Sequence, residues 1–363
     1  MIEELHIQNF RCFEDITISS IGQVNLIVGK NNIGKTSLLE AIHLYANSGN
    51  VWSIHQILNK RQDSFHPTPN TQFNQQLNSM EARGIFDTTS NIFNKENILQ
   101  SCLIKSQNTE IAIEKANDIS KLKELKGINQ NPMLFQQGDG FYIELNRNVT
   151  PYFIISTPST IINDINGVGD RLPINAKLYH CNSYNYDVSS FADLWGILDD
   201  CDKSEYINDV IKTIDSRILR AYYTPKREAK VKLEGYAEAQ KLASLGEGTT
   251  RIFQLFILAY SAEGGILTID EFENGLHYSI QEDIFRELFK ITKELGAQVF
   301  ITTHSADTIK AFSKVANEED EVHARLIGLA RSEKKSTKGR IFSITYKEHE
   351  MKSFIELGME VRK

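Results

Sequence analysis

Gly29-Lys30-Asn31-Asn32-Ile33-Gly34-Lys35-Thr36 fits the spacing G-x-x-x-x-G-K-[ST] at every position. The run Val24-Asn25-Leu26-Ile27-Val28 leads into it and predicts a buried strand ending at Gly29. Behind it, Leu38, Leu39, Ile42 and Tyr45 recur at helical spacing, which predicts a helix over Thr36–Tyr45. Two glycines let the backbone curl so that successive N–H groups point inward, and the helix start adds the positive end of its dipole. That arrangement cradles phosphates. Lys35 is placed to reach the β- and γ-phosphates of ATP, and the Thr36 hydroxyl to ligate Mg²⁺. Asn31, Asn32 and Ser37 complete the expected nucleotide contacts of this loop.

A second apolar run, Gly265-Ile266-Leu267-Thr268-Ile269, ends on two adjacent acids, Asp270-Glu271. Acids at a strand's carboxyl end sit in the crevice where open α/β sheets bind ligands. Asp270 is expected to hold Mg²⁺, and Glu271, projecting differently, to act as general base on the attacking water. Phe300-Ile301-Thr302-Thr303-His304-Ser305 puts His304 at the end of a further buried strand, placed to sense the γ-phosphate.

Ser244-Leu245-Gly246-Glu247-Gly248 stands just before the helix preceding the Asp270 strand. A serine hydroxyl and glycine N–H groups at a helix start make another anion-binding element. One phosphate loop already surrounds the phosphates, so Ser244, Gly246 and Glu247 are expected on the ATP of a second copy, giving a homodimer joined through nucleotide.

The order of these motifs resembles the ABC-type head of the SMC, Rad50 and RecF group, and most of all the OLD-like ATPases, often called the AAA15 family. Asn31 sits in the loop as Gly-x-Asn. Glu271-Phe272-Glu273-Asn274-Gly275-Leu276-His277 resembles the family's Glu-Pro-Glu-Asn-Gly-Leu-His, with Phe272 for the usual proline. Asn9-Phe10-Arg11-Cys12-Phe13 resembles its opening strand. The resemblance implies that Arg11 lies near the phosphates and that Asn274 to His277 form the subunit-contact loop. It also implies a Q-loop glutamine, for which Gln62, Gln136 and Gln137 are equal candidates.

The fold expected is α/β: a bilobed ABC-type P-loop NTPase head with a mainly antiparallel lobe and a parallel-sheet lobe. The whole chain, 1–363, reads as one such domain. Residues 1–185 form the N-terminal lobe, with the phosphate loop and a polar, variable insertion of short helices and loops at about 47–108. Thr109–Glu114, Phe141–Leu145, Tyr152–Ser156 and Lys177–Asn182 read as strands of the antiparallel sheet, with a charged helix or loop at Lys121–Lys126. Residues 186–243 form a helical and hairpin segment: Ser190–Arg217 is helical, then Ile218–Leu233 folds back at Thr224-Pro225-Lys226-Arg227. Over 244–363 the elements alternate between helix and strand, as parallel sheets require. A last hairpin and short helix (Ala324–Leu329, Ile341–Tyr346, Lys352–Leu357) close the chain.

Composition is that of a soluble globular protein, with 41% apolar and 24% charged residues. No apolar run is long enough to span a membrane. Acids at the N-terminus in place of a signal peptide's positive charge, and four scattered cysteines, predict a cytoplasmic protein without disulfides. The histidines and cysteines show no metal-site spacing. A net charge of −7 argues against wholesale coating by nucleic acid, but not against a local basic groove.

Neither a Toprim nuclease domain nor sustained coiled-coil heptads are found, so a head alone is expected. By family resemblance, such a head acts on a separately encoded effector, a nuclease or toxin, in bacterial anti-phage defence. Two rivals stand beside this reading. One is a RecF-like repair ATPase clamping DNA through Lys226, Arg227, Lys230 and Lys232, or through Arg331, Lys334, Lys335, Lys338 and Arg340. The other is a nucleotide-gated scaffold that does not hydrolyse ATP.

Overall fold

The computed structural model describes residues 1–47, 53–54, 57, 92–94, 101–107, 109–116, 138–145, 148–156, 160–162, 178–181, 188–319 and 321–351. Strands β1 (Leu5–Phe10), β2 (Phe13–Ile18) and β3 (Val24–Gly29) lead into helix α1 (Lys35–Ala46). Then come β4 (Ser101–Ser106), β5 (Thr109–Ala116), β6 (Gly138–Leu145), β7 (Asn148–Ser156), β8 (Thr160–Ile162) and β9 (Leu178–Cys181). Helices α2 (Val188–Asp200) and α3 (Lys203–Ile214) precede β10 (Ile218–Tyr223), β11 (Ala229–Leu233) and the two-residue β12 (Gln240–Lys241). The remaining elements are α4 (Glu247–Ser261), β13 (Ile266–Ile269), α5 (Tyr278–Leu295), β14 (Gln298–Thr302), α6 (Ala306–Glu318), β15 (Ala324–Arg331) and β16 (Ile341–Lys347).

A seven-stranded sheet runs in the order β2-β1-β4-β5-β6-β7-β8, with every neighbouring pair antiparallel. A six-stranded sheet runs β16-β15-β3-β14-β13-β9 and is parallel except for the edge strand β16. Strands β10, β11 and β12 form a small third sheet. The architecture is mixed α/β, an antiparallel layer joined to a largely parallel one, as the sequence predicts. The two large sheets are stitched at one corner: Ser343 and Thr345 of β16 donate hydroxyls to the carbonyls of Thr17 and Ser19 at 2.7 and 2.9 Å.

β3 shows why its sequence is apolar throughout. Alternate side chains of a strand face opposite ways, and here both faces are covered. Val24, Leu26 and Val28 enter a core with α2 to α6, while Ile27 enters another shared with α1, β1 and β2. Asn25, fully buried in the same strand, is satisfied by Gly22 and by the Val299 carbonyl. In the first core Phe253 lies between Trp195 and Tyr223, with ring centroids 5.0 and 5.8 Å away. A buried phenylalanine of this kind contributes roughly 1.5–3 kcal/mol.

Three expectations need correction. Leu178–Cys181 does not join the antiparallel sheet; as β9 it pairs in parallel with β13. A four-residue strand carries no local signal of its partner's direction. Within 47–108, expected to hold helices and loops, Ser101–Ser106 is a strand beside β1. The helical stretch from Ser190 is two helices, broken where Asp202 adopts a left-handed φ of 59°. Lys121–Lys126, Lys352–Leu357 and the candidates Gln62, Gln136 and Gln137 lie outside the described residues.

Candidate functional site

Three neighbouring parallel strands, β3, β14 and β13, end at the same edge of the sheet, with Thr302 opposite Ile27 and Ile301 opposite Ile269. The chain continues past that edge as the phosphate loop, as Thr303-His304 and as Asp270-Glu271. Ligands of open α/β sheets bind at this place. A cleft of about 880 Å³ opens there. Of the residues expected from sequence, Asn31, Asn32, Gly34, Lys35, Thr36, Ser37, Asp270, Glu271 and His304 line it; Cys12, Thr302 and Thr303 are added.

The loop's glycines are demanded by both dihedral and space. Gly34 has a φ of 106°, and a Cβ there would meet Cys12 Sγ at 2.5 Å and the Phe13 ring at 3.0 Å. Gly29 supplies a carbonyl that accepts from Lys35 Nζ at 2.8 Å, and the Lys30 carbonyl accepts from the same amine at 3.1 Å. Burial pushes the Lys35 ammonium below its ordinary range, while the charges of Glu273, Asp270 and Glu271 partly restore it.

Thr302 fastens both acids. Its hydroxyl donates to Asp270 Oδ1 and accepts from the Glu271 N–H at 2.9 Å. Asp270 Oδ2 in turn accepts from the Thr36 hydroxyl at 3.1 Å. Thr36 and Asp270 thus offer two adjacent hard oxygens, a donor set that fits Mg²⁺ when phosphate and water supply the rest. Among the described residues, no cluster of three or more His, Cys, Asp or Glu side chains could hold a metal.

Glu271 adopts a left-handed φ of 52°, uncommon for a residue with a Cβ. Contacts on its N–H, carbonyl and carboxylate hold it. Thr302 takes its N–H, buried Arg251 of α4 donates to its carbonyl at 2.7 Å, and Asn274 Nδ2 donates to its Oε2 at 2.6 Å. Phe272, where the resemblance calls for proline, donates its N–H to the Thr302 carbonyl at 3.0 Å, a bond proline cannot make. Its ring is fully buried and stacks on Phe285 at 4.4 Å.

Glu273 Oε1 accepts from His304 Nδ1 at 2.6 Å and from the His304 backbone N–H at 2.9 Å; Oε2 accepts from the Thr303 hydroxyl at 2.7 Å. Sequence reading missed Glu273, Thr302, Arg251 and Cys12 as contributors here. The signals available were the charge at 251 within the apolar run of α4, and the places of Glu273 and Cys12 inside the motifs quoted above.

Ser244, Gly246 and Glu247 do not line the cleft. Ser244 Oγ donates to the Lys241 carbonyl at 2.6 Å and is exposed, and Gly246, at a φ of 103°, has open space around it. The next glycine is packed: a Cβ on Gly248 would run into the carbonyl oxygen of Gly275. The first turn of α4 therefore rests against the loop that carries Glu271, Glu273 and Asn274. Arg11 pairs with Glu40 of α1 at 3.3 Å, with both side chains largely buried.

In the basic hairpin two of the four cations named above are paired, Arg227 with Asp193 at 2.9 Å and Lys230 with Glu228 at 3.9 Å. In the other cluster, Arg340 pairs with Glu14 at 2.6 Å. Cys102 and Cys181 are buried, Cys12 is half-buried and Cys201 is exposed. No helix among the described residues is long and apolar enough to cross a membrane.

Two family models match the chain. One, described as an AAA ATPase domain, matches residues 1–150; the other, described as an AAA domain, putative AbiEii toxin, Type IV TA system, matches residues 180–309. An ATP/GTP phosphatase of Helicobacter pylori is 23% identical over 339 residues, covering 89% of this chain and 90% of that protein. An OLD nuclease of Thermus scotoductus is 46% identical over 52 residues, which span 14% of this chain and 9% of the nuclease. The crystal structure of an SMC head bound to the C-winged helix domain of ScpA superposes with a TM-score of 0.51 at 11% identity, covering 96% of this chain and 99% of that one, a likeness of fold. Fold, family models and relatives point the same way: this chain is similar to the ABC-type ATPase heads of the AAA15, OLD-like kind.

Proposed function

We propose that two copies of this chain clasp ATP between them, hydrolyse it with Mg²⁺, and use the cycle to control a separately encoded effector protein. One observation carries the reading. The phosphate loop, Asp270-Glu271 and His304 converge on one cleft, while the Ser244–Gly246 turn stands outside it with open space before it. A phosphate-binding turn that serves no phosphate in its own chain is well placed for a partner's.

In this scheme the loop N–H groups and Lys35 hold the β- and γ-phosphates, and Thr36 and Asp270 hold the cation. Mg²⁺, when bound, offsets the charge of the phosphate oxygens. Glu271, fixed by Asn274, takes a proton from the attacking water. His304 faces the γ-phosphate, and Ser244, Gly246 and Glu247 approach it from the second copy. The test is the association state of Glu271→Gln with ATP and Mg²⁺, measured by light scattering. A stable dimer is expected, absent in Lys35→Ala. A Glu271→Gln protein that binds ATP but stays monomeric sinks the shared site.

The effector reading draws support from the family model whose description names a toxin and a type IV toxin–antitoxin system. A nuclease or toxin encoded beside this chain, binding the ATP-locked dimer and released by hydrolysis, would establish it. Anti-phage defence is the setting that goes with that reading. The DNA-clamp alternative draws less, since carboxylates already partner Arg227 and Lys230, two of its four hairpin cations.

A further inference from the structure

We propose that Glu273 is the positioning residue of His304, a fixed acceptor that turns the imidazole so that Nε2 is the atom offered to the nucleotide's terminal phosphate. The inference rests on the ATPase reading above and deepens it.

Three contacts made by one side chain carry the argument. Oε1 takes both the ring Nδ1, at 2.6 Å, and the backbone N–H of the same residue, at 2.9 Å. This closes a small ring that fixes the side-chain torsions of His304. Oε2 is tied to the Thr303 hydroxyl at 2.7 Å, and that hydroxyl accepts from the Ser305 N–H at 3.0 Å, at the start of α6. An ionised carboxylate has only lone pairs to offer, so the hydrogen between Oε1 and Nδ1 belongs to the ring. The other ring nitrogen is then left for the cleft. Exposure follows the same division: the Glu273 side chain is 12% exposed and the His304 side chain 46%.

Glu273 and Asn274 are neighbours in one loop, and each holds one group of the hydrolytic site, His304 and Glu271 respectively. A carboxylate behind a working histidine recurs where the orientation of the ring matters, as in catalytic triads, and loss of such a partner behind a metal-bound histidine costs about 10–100-fold. A competing route exists, because Glu273 is also the leading negative charge felt by Lys35. Glu273→Gln could therefore act through nucleotide binding instead.

The experiment separates these routes. Glu273→Gln, His304→Ala and the double variant are compared for kcat, for affinity toward a fluorescent ATP analogue, and for the imidazole Nδ1–H resonance in histidine-labelled protein. The expected result has three parts. In Glu273→Gln, kcat falls about 10–100-fold with affinity within about twofold. The downfield His304 resonance, identified by its loss in His304→Ala, moves upfield or disappears, because a neutral amide oxygen accepts more weakly than a carboxylate. On the His304→Ala background Glu273→Gln adds nothing.

Multiplying losses in the double variant, an affinity loss that accounts for the rate loss, or an unmoved resonance would each overturn the proposal. Should Glu273→Gln not fold, Thr303→Val loosens the same carboxylate. It must then lower kcat, and must lose that effect when His304 is alanine. If the wild-type chain turns over no ATP, the hydrolysis reading fails, while the resonance arm still decides whether Glu273 holds His304.

Discussion

Gly248→Ala is the most demanding test of how the site is assembled. The added Cβ would approach the Gly275 carbonyl oxygen about 1 Å inside an ordinary carbon–oxygen contact of roughly 3.3 Å. The obstacle is backbone, so the Asn274–Gly275 turn or the first turn of α4 must retreat by that amount. Overpacking of this kind costs typically 1–3 kcal/mol, and alanine's better helix propensity returns at most about 1. A net loss of about 1–2 kcal/mol should lower the melting temperature by about 1–3 °C. The rate should respond far more. Asn274 holds the Glu271 carboxylate at 2.6 Å, and an ångström of misplacement at a reacting group can cost about 100-fold. Phosphate release should therefore drop by one to two orders of magnitude, with nucleotide affinity nearly unchanged because the phosphate loop is untouched. Gly196→Ala, in α2 with nothing near its missing Cβ, is the control and should do no harm. A Gly248→Ala protein with wild-type turnover would refute the claim that α4 braces the catalytic loop.

Other outcomes follow from the same geometry. Asn274→Ala should reduce kcat about tenfold through loss of a hydrogen bond to a charged group, measured beside an unchanged ATP dissociation constant. Thr302→Val should cost roughly 1–3 kcal/mol in denaturant unfolding by stranding the Glu271 N–H, whereas Thr302→Ser should stay close to wild type. Because burial holds the Lys35 ammonium below its ordinary range, the folded state binds fewer protons there than the unfolded one, and stability rises with pH up to about 10.5. Lys35→Met should then melt higher than wild type at neutral pH, with the gap closing toward that limit. In the same alkaline range ATP affinity should fall for wild type and hold for Lys35→Arg, which keeps its charge.

Much of the cleft was legible because its parts are contiguous strings with strict backbone needs. The phosphate loop requires Gly29 and Gly34, and the paired acids follow an apolar run whose two faces both face cores. What the sequence could not display are contacts between segments far apart in the chain. Gly248 reads as part of an anion-binding turn, with no sign of packing, until Gly275 is seen against it, and Glu273 reads as a motif letter without a partner until Thr303 and His304 are brought to it. Arg11 was placed near the phosphates by analogy, and its ion pair with Glu40 depends on how α1 lies over the β1–β2 turn. β9 failed for a related reason: a four-residue strand fits either direction of pairing, and β13 decides which.

The hydroxyl of Thr302 has a single hydrogen, and it is already committed. Given to Asp270, it leaves the oxygen to receive the Glu271 backbone, so the direction of one bond dictates the other. In the proposed mechanism the grip on the cation and the aim of the base therefore share a single fastening, and a change that retunes either one is bound to disturb its neighbour.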